Sequence, residues 1–219
     1  MFNYPYFRKN ILVIVSTIVF ICTFHSASAQ YGYPQDRNMR LGLVFNPNIS
    51  WMNFEGARTA NAGVRFGYGL MADFGFARNY YFSTGLIIND LKTETNAISG
   101  EAASIGQEIR LKYAEVPLAI KLKTEEKNFG RIYGQFGVTA GLRVSAKQRL
   151  VDSDQAFESL SGADLIRLGL QIGTGVEWNL GGNLGLLTGL SYNNGFTRAI
   201  RTQGDPKLSY VALQFGLLF

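Results

Sequence analysis

Histidine and cysteine are almost absent from this sequence of 219 residues, which contains one of each, Cys22 and His25. Both lie in an N-terminal segment, residues 1–29, that we predict to be a cleaved signal peptide. A chain without them has no disulfide, no thiolate metal site, no catalytic cysteine and no imidazole base. Carboxylates alone could still act in principle, but we expect no enzymatic activity, no bound cofactor and no metal site.

The signal-peptide prediction depends on three features in the order that secretion requires. Arg8 and Lys9 precede an apolar run, residues 11–24, which is shorter than the roughly 18 to 20 residues of a membrane-spanning helix. Ala27, Ser28 and Ala29 then place small residues where a signal peptidase reads. We expect residues 30–38 to form a short periplasmic segment, followed by one folded domain over residues 39–219.

Charge and long apolar runs are also scarce. Charged residues make up 17% of the chain, and the net charge of +5 falls to about +3 without Arg8 and Lys9, too little and too scattered for nucleic-acid binding. After residue 30 no apolar run approaches the roughly 18 residues of a membrane helix. The 25 glycines, 13% aromatics and mean hydropathy of +0.03 favour a folded, β-rich chain.

Apolar and polar residues alternate along most of the domain, which is the pattern of strands with two different faces. In residues 64–76, for example, every even position is apolar. We predict eight strands, at residues 41–51, 64–76, 82–88, 114–122, 132–144, 166–178, 184–192 and 211–219.

The predicted connections alternate strictly between short and long. Turn formers fill the short ones, at 78–79, 124–128 and 181–183, while the long polar ones cover 55–62, 92–107, 147–163 and 197–207. Such a meander brings all long loops to one end. We therefore predict an all-β fold, an eight-stranded antiparallel up-and-down transmembrane β-barrel in the outer membrane, with periplasmic turns and extracellular loops.

A soluble lipocalin-like lipid-binding barrel has the same strand count but turns its apolar face inward. Glycines concentrate on the polar face, as a narrow lumen requires, and the apolar face is bulky. Aromatic residues lie near strand ends, as in a membrane girdle; they are Trp51, Trp178, Tyr192 and Phe219. These features, and the missing disulfide, favour the apolar-out barrel.

Charged residues on the polar face would then point into the lumen. Because eight strands enclose a space that side chains can fill, we predict a lumen charge network that plugs the barrel. Its members are Arg65, Asp73, Glu115, Lys121, Arg143, Arg167 and Glu177, with Arg40 and Lys123 on the same face. The alternative is a narrow, anion-preferring pore. Pro117, which cannot donate to a strand ladder, is expected at a bulge or at the rim.

Acidic residues cluster in the third long connection, where an Asp-Ser-Asp run resembles a calcium ligand set. They are Asp152, Asp154, Glu158 and Asp164. We favour a solvated loop surface instead. The sequence also closes on apolar residues at alternating positions, Phe215, Leu217 and Phe219. This pattern predicts an assembly signal read by the barrel-assembly machinery.

One segment resembles a known family. Residues 113–123, Tyr-Ala-Glu-Val-Pro-Leu-Ala-Ile-Lys-Leu-Lys, and the glycine-rich residues 133–137 that follow a short turn resemble the PorT-like outer-membrane β-barrels of Bacteroidetes. The resemblance implies a small outer-membrane barrel and a link to type IX secretion, in which one such barrel is implicated. From the closed lumen and the long loops we expect a structural or adaptor role, with the loops as the binding surface. The implied partners are outer-membrane lipid and an outer-membrane or extracellular protein that contacts the loops.

Overall fold

The computed structural model describes residues 39–53, 61–96, 106–127, 129–150, 156–160, 162–201 and 205–219. The predicted signal peptide, residues 1–29, and the segment 30–38 lie outside these ranges. The strands, in chain order, are β1 Met39–Asn53, β2 Asn61–Ala77, β3 Tyr80–Asn96, β4 Gly106–Lys123, β5 Gly130–Leu150, β6 Glu158–Ser159, β7 Ile166–Gly181, β8 Leu184–Arg198 and β9 Lys207–Leu218.

Eight long strands form a closed, fully antiparallel ring. Each pairs with its neighbour along the chain, β5 pairs with β7, and β9 pairs back onto β1. The two-residue strand β6 pairs only with the end of β5 and adds nothing to the ring. The predicted eight-stranded up-and-down barrel is therefore confirmed. Among the described residues, none forms a helix long and apolar enough to span a bilayer.

The apolar face of the barrel points outward. Large apolar side chains in every long strand are exposed, as at Leu43, Leu70 and Leu170, each more than half accessible. Their sequence neighbours point inward, and many of these are polar and buried. This orientation excludes the lipocalin-like alternative, because a soluble barrel of that kind buries its apolar face.

Several strands extend further into the long connections than the sequence predicted. β3 continues to Asn96 and β5 to Leu150, although residues 92–107 and 147–163 were expected to be loop. The extensions continue the β3–β4 and β4–β5 ladders, and the inward positions next to them are apolar and buried, as at Leu91, Ile109 and Leu111. Polar residues on the outer face of the same segments had hidden this alternation.

Pro117 lies within β4, six residues before the strand ends, so its predicted place at a bulge or rim is wrong. The β3–β4 register is unchanged on both sides of it, from Ile87↔Glu115 to Thr84↔Leu118, with no paired residues between. The ladder thus tolerates the missing N–H as a local gap. The bulge in β4–β5 falls elsewhere, next to the Lys112/Tyr113 step.

Tight turns connect strands at the end that we call the turn end, opposite the long connections of the loop end. The β2–β3 turn consists of Arg78 and Asn79, with Asn79 at a φ of 67°. The β7–β8 turn uses Gly182 at a φ of 59°, a left-handed conformation that glycine adopts without strain. These turns set the register of both hairpins.

Candidate functional site

Five charged side chains meet inside the barrel near the turn end, and we call them the turn-end cluster: Arg40, Asp73, Lys121, Lys123 and Glu177. Asp73 Oδ2 lies 2.7 Å from Lys121 Nζ and 2.9 Å from Lys123 Nζ. Lys123 Nζ also contacts Glu177 Oε1 at 2.8 Å, and Arg40 reaches Glu177 Oε2 at 3.2 Å. Apart from Arg40, these side chains are almost completely buried. Each carboxylate is therefore shared between at least two cations.

A second group, the central cluster, forms around the ion pair of Glu115 and Arg167. Arg167 Nη1 contacts Glu115 Oε1 at 2.8 Å, and both side chains are 2% exposed. Tyr210 Oη and Asn89 Nδ2 donate to the other oxygen of Glu115 at 2.7 and 2.8 Å. Arg167 Nη2 donates to Asn193 Oδ1 at 2.6 Å and to a backbone carbonyl of β9. Both oxygens of Glu115 and both terminal nitrogens of Arg167 thus have the partners that a buried ion pair requires, while Arg167 Nε is buried without one among the described residues.

Neutral polar side chains separate the two clusters. Two cavities of about 30 and 10 Å³ lie there, bordered by Pro117, Asn46, Gln171 and Gln214. Spaces of this size hold about one or two water molecules. Tyr133 crosses the same region, donating to Gln214 Oε1 at 3.2 Å and lying against Gly175, where a Cβ atom would come within 2.7 Å of Tyr133 Oη. The middle of the lumen is filled with side chains.

An apolar layer occupies the lumen at the loop end. Three of its buried members come from connecting segments, Ala163 before β7 and Ala199 and Ile200 after β8, and Ala163 and Ile200 pair in an isolated β-bridge. Asp164 fastens this bridge, since its carboxylate accepts from Arg198 at 2.9 Å and from Arg201 at 2.8 Å. These guanidinium groups hold the pKa of Asp164 below its usual value. The full layer is Met52, Leu91, Ile109, Leu111, Tyr113, Ala163, Ala199, Ile200, Leu208, Tyr210 and Ala212.

Five of the seven residues predicted for the lumen charge network belong to these two clusters: Asp73, Glu115, Lys121, Arg167 and Glu177. Arg143 lies nearer the loop end, where its guanidinium donates to the backbone carbonyl of Ala163. Arg65 approaches a different carboxylate, Glu108, at 3.7 Å. The sequence reasoning did not single out Glu108, Tyr210 or Asn193. Tyr210 and Asn193 lie on the inward face, as the alternation along their strands predicts. Glu108 lies on the outward face of β4 and is nevertheless buried.

Glu108 is the centre of a third group of charges, on the outer face near the loop end. Its side chain is 4% exposed and lies within 4 Å of Arg65, Lys92, Arg110 and Arg149. Even-numbered positions of β4 include the exposed Val116 and Leu118, and Glu108 and Arg110 share that parity. The outer surface at this height is therefore strongly cationic around one buried carboxylate.

Aromatic residues border the outer apolar band at both ends. Trp51 stacks on Tyr192 with ring centroids 6.2 Å apart, and Trp178 packs on Phe129 at 6.1 Å near the turn end. Phe219, the last residue of the sequence, exchanges two backbone hydrogen bonds with Leu41 of β1. Phe215, Leu217 and Phe219 all expose their side chains on the outer face, where the predicted assembly signal would have to be read.

The predicted acidic loop cluster is only partly described, since Asp152 and Asp154 lie outside the described residues. Asp164 is engaged by Arg198 and Arg201, and Glu158 belongs to β6. Within the described ranges, no three His, Cys, Asp or Glu side chains are arranged to hold a metal ion.

A family model for the outer membrane protein beta-barrel domain matches residues 28–201. The chain belongs to this family. As a member of the outer membrane protein beta-barrel family it resides in the outer membrane, and its exposed apolar band is the surface that contacts lipid. No curated protein matches the chain.

Solved structures similar to this family member are also outer-membrane barrels. OprG of Pseudomonas aeruginosa is 13% identical, with 83% of this chain and 96% of that one covered and a TM-score of 0.48. Ail of Yersinia pestis, in complex with the heparin analogue sucrose octasulfate, is 15% identical, with 84% and 100% covered and a TM-score of 0.45. Neisserial surface protein A is 12% identical, with 81% and 95% covered and a TM-score of 0.47.

Proposed function

We propose that this protein is a structural or adaptor barrel of the outer membrane, whose long connections at the loop end bind a protein partner and whose lumen is closed. The observation that carries the proposal is the filling of the lumen. Two buried charge clusters and a neutral polar layer lie below an apolar layer that includes Ala163, Ala199 and Ile200. Because the described lumen residues pack in this way and leave no open passage among them, we expect the barrel to act through its surface. The proposal includes no enzymatic activity.

The proposed orientation follows from secretion through a signal peptide, residues 1–29. Segment 30–38 then lies in the periplasm with the turn end, and the long connections face the outside. Surface-exposed loops held by a rigid scaffold are the common place for binding residues. The PorT-like resemblance of residues 113–123 supports an association with type IX secretion components. Cross-linking from a tag at residues 151–155, followed by capture from native membranes, would identify the partner.

The closed lumen predicts that purified protein in planar bilayers produces no steady single-channel openings. Charge within the turn-end cluster is balanced except for one cation, so an ion entering the lumen would have to displace paired side chains such as Lys121 and Asp73. Single-channel recording is the test. Anion-selective openings of constant amplitude in the unmutated protein would contradict the proposal and favour the narrow pore.

Phe219→Asp should strongly reduce the yield of folded barrel, whereas Gln214→Asn should reduce it little. Phe219 is on the outer face, where the carboxylate would replace an apolar side chain, while Gln214 is on the inner face and asparagine keeps an amide there. The readout is the fraction of protein in the outer membrane whose mobility on SDS gels changes with heating. Equal yields would remove the reason to regard Phe215, Leu217 and Phe219 as a signal for the barrel-assembly machinery.

A further inference from the structure

Three cations face outward side by side on neighbouring strands near the loop end. Lys92 of β3 is the register partner of Arg110 in β4, and Arg110 is the register partner of Lys147 in β5. We call these three residues the outer cationic row. Like charges directly opposite each other across strands are destabilising. A row of this kind therefore persists only with anions close by.

The anions within the described part of the protein compensate the row incompletely. Glu108 and Glu94 contact Lys92 at 3.5 and 3.0 Å, and Glu108 accepts from Arg110 through Nε alone. Lys147 and its outward neighbour Lys112 form no ion pair with any described residue. Glu108 is also shared with Arg149, whose Nε and Nη2 both donate to Oε2, at 3.0 and 2.8 Å. Asp90 is the register partner of Lys112, so among the described residues here five lysines and arginines face three carboxylates, those of Asp90, Glu94 and Glu108, and positive charge is in excess.

An aromatic side chain holds the guanidinium groups in place. Arg110 Cζ lies 3.9 Å and Arg149 Cζ 4.6 Å from the ring centroid of Phe157. Cation–π contacts and the shared carboxylate of Glu108 fix both side chains before any ligand arrives. Pre-positioned arginines of this kind bind phosphate oxygens with little loss of side-chain entropy.

The height of the row on the barrel indicates where the ligand lies. Along β4 the outward positions change from Arg110 and Lys112 to Ala114, Val116 and Leu118. Arg110 lies four residues before Ala114, where the apolar outward positions begin, and four residues of a strand cover about 13 Å before tilt is considered. The row is therefore just beyond the apolar band, at the level of lipid head groups, and its ligand approaches from the side of the barrel.

We propose that the outer cationic row, with Lys112 and Arg149, binds the phosphate groups of a membrane lipid. With the orientation proposed above, on which this choice of leaflet depends, the lipid is the phosphorylated glycolipid of the outer leaflet. Basic pockets at the membrane surface recognise lipid head groups through the same combination of charge and hydrogen bonding. Lipid bound here would cover the outer face of β3, β4 and β5 near the loop end.

The test uses the purified, folded barrel in detergent micelles and diphosphoryl lipid A as the probe, with bound lipid counted by native mass spectrometry. Each lysine near the membrane surface contributes about a fivefold factor in affinity, so the double change Lys112→Gln and Lys147→Gln should weaken binding about 25-fold. Both side chains point away from the lumen, so the variant should fold. Heat-dependent gel mobility verifies this.

Two controls distinguish this site from general charge attraction. Lys127→Gln combined with Arg78→Gln removes the same charge at the turn end and should leave lipid binding unchanged. Dephosphorylated lipid should bind the unmutated protein about as weakly as diphosphoryl lipid A binds the double variant. Equal losses in the two double variants, or equal binding of the dephosphorylated lipid, would overturn the proposal.

Competition with inorganic phosphate distinguishes a site for a lipid head group from a site for free phosphate. Millimolar phosphate should displace little lipid, because the acyl chains add contacts with the apolar band that the ion lacks. Complete displacement would indicate a site for free phosphate and would overturn the lipid assignment. This assay uses purified protein, so a conducting lumen or a reversed orientation would contradict the proposed function without changing its result.

Discussion

Arg167→Met should lower the free energy of unfolding by about 3 to 5 kcal/mol, because it leaves Glu115 buried without its counter-ion. The Glu115 side chain is 2% exposed, so water cannot easily take the place of the guanidinium. The change also removes the donors to Asn193 and to the carbonyl of Leu208. Urea titration of the barrel in lipid vesicles, followed by tryptophan fluorescence, measures the loss.

Arg78→Met is the matched control, since this arginine is 79% exposed at the turn end and its one ion pair among the described residues is with another exposed side chain, Glu125. Its loss should change stability by less than about 1 kcal/mol. The double change Glu115→Gln and Arg167→Met should recover part of the loss, because Gln keeps accepting from Tyr210 and no longer carries a charge. Equal stability of the Arg167 and Arg78 variants would show that the central cluster is not a buried ion pair.

Leu70→Arg should destabilise the barrel by about 2 to 4 kcal/mol, the cost of an arginine facing hydrocarbon near the middle of the membrane. Leu70 is 56% exposed in the middle of β2, and its register partners Leu43 and Leu86 are also exposed apolar side chains. No polar surface is available to the guanidinium there. The same urea titration in vesicles measures this loss in the free energy of unfolding.

Phe76→Arg places the same side chain on the same strand and face, but next to the turn. The cost of a lipid-facing arginine falls to about 0 to 1 kcal/mol near the interface, apart from what loss of the aromatic ring adds. A larger effect at Phe76 than at Leu70 would mean that the apolar band is centred elsewhere. Leu70→Met should be close to neutral, and this checks that the position tolerates a change of shape.

Strand number, strand faces and the closed meander could be predicted from the sequence because each depends on local patterns. A period of two in residues 64–76 or 166–178 determines which side chains share a face, whatever the rest of the chain does. The inward position of Asp73, Glu115, Lys121, Arg167 and Glu177 follows from the same parity. Which of them pair with each other does not, because pairing depends on the register between distant strands.

Some of the remaining differences come from bulges, which change the face on which the following residues lie and which no residue pattern in the sequence predicts. The shift between Lys112 and Tyr113 in the β4–β5 ladder moves the inward set of β5 from odd to even residues, so Ala146 packs inside. A similar irregularity between Ala62 and Gly67 accompanies the approach of Arg65 to Glu108. The apolar layer at the loop end was missed for another reason: Ala163, Ala199 and Ile200 come from segments without a period.

The ladder between β1 and β9 has a consequence for the order of events during assembly. It joins the two strands furthest apart in the sequence, with Leu43 opposite Leu217. Contacts between such distant segments form slowly because a long loop must close first. Until β9 arrives, both β1 and β8 present an unpaired edge, which is a template for pairing with other chains. The open edges of the nascent protein should therefore pair with other chains unless they are covered until β9 has joined the ring, and a chain cut anywhere before β9 should aggregate rather than form a smaller barrel.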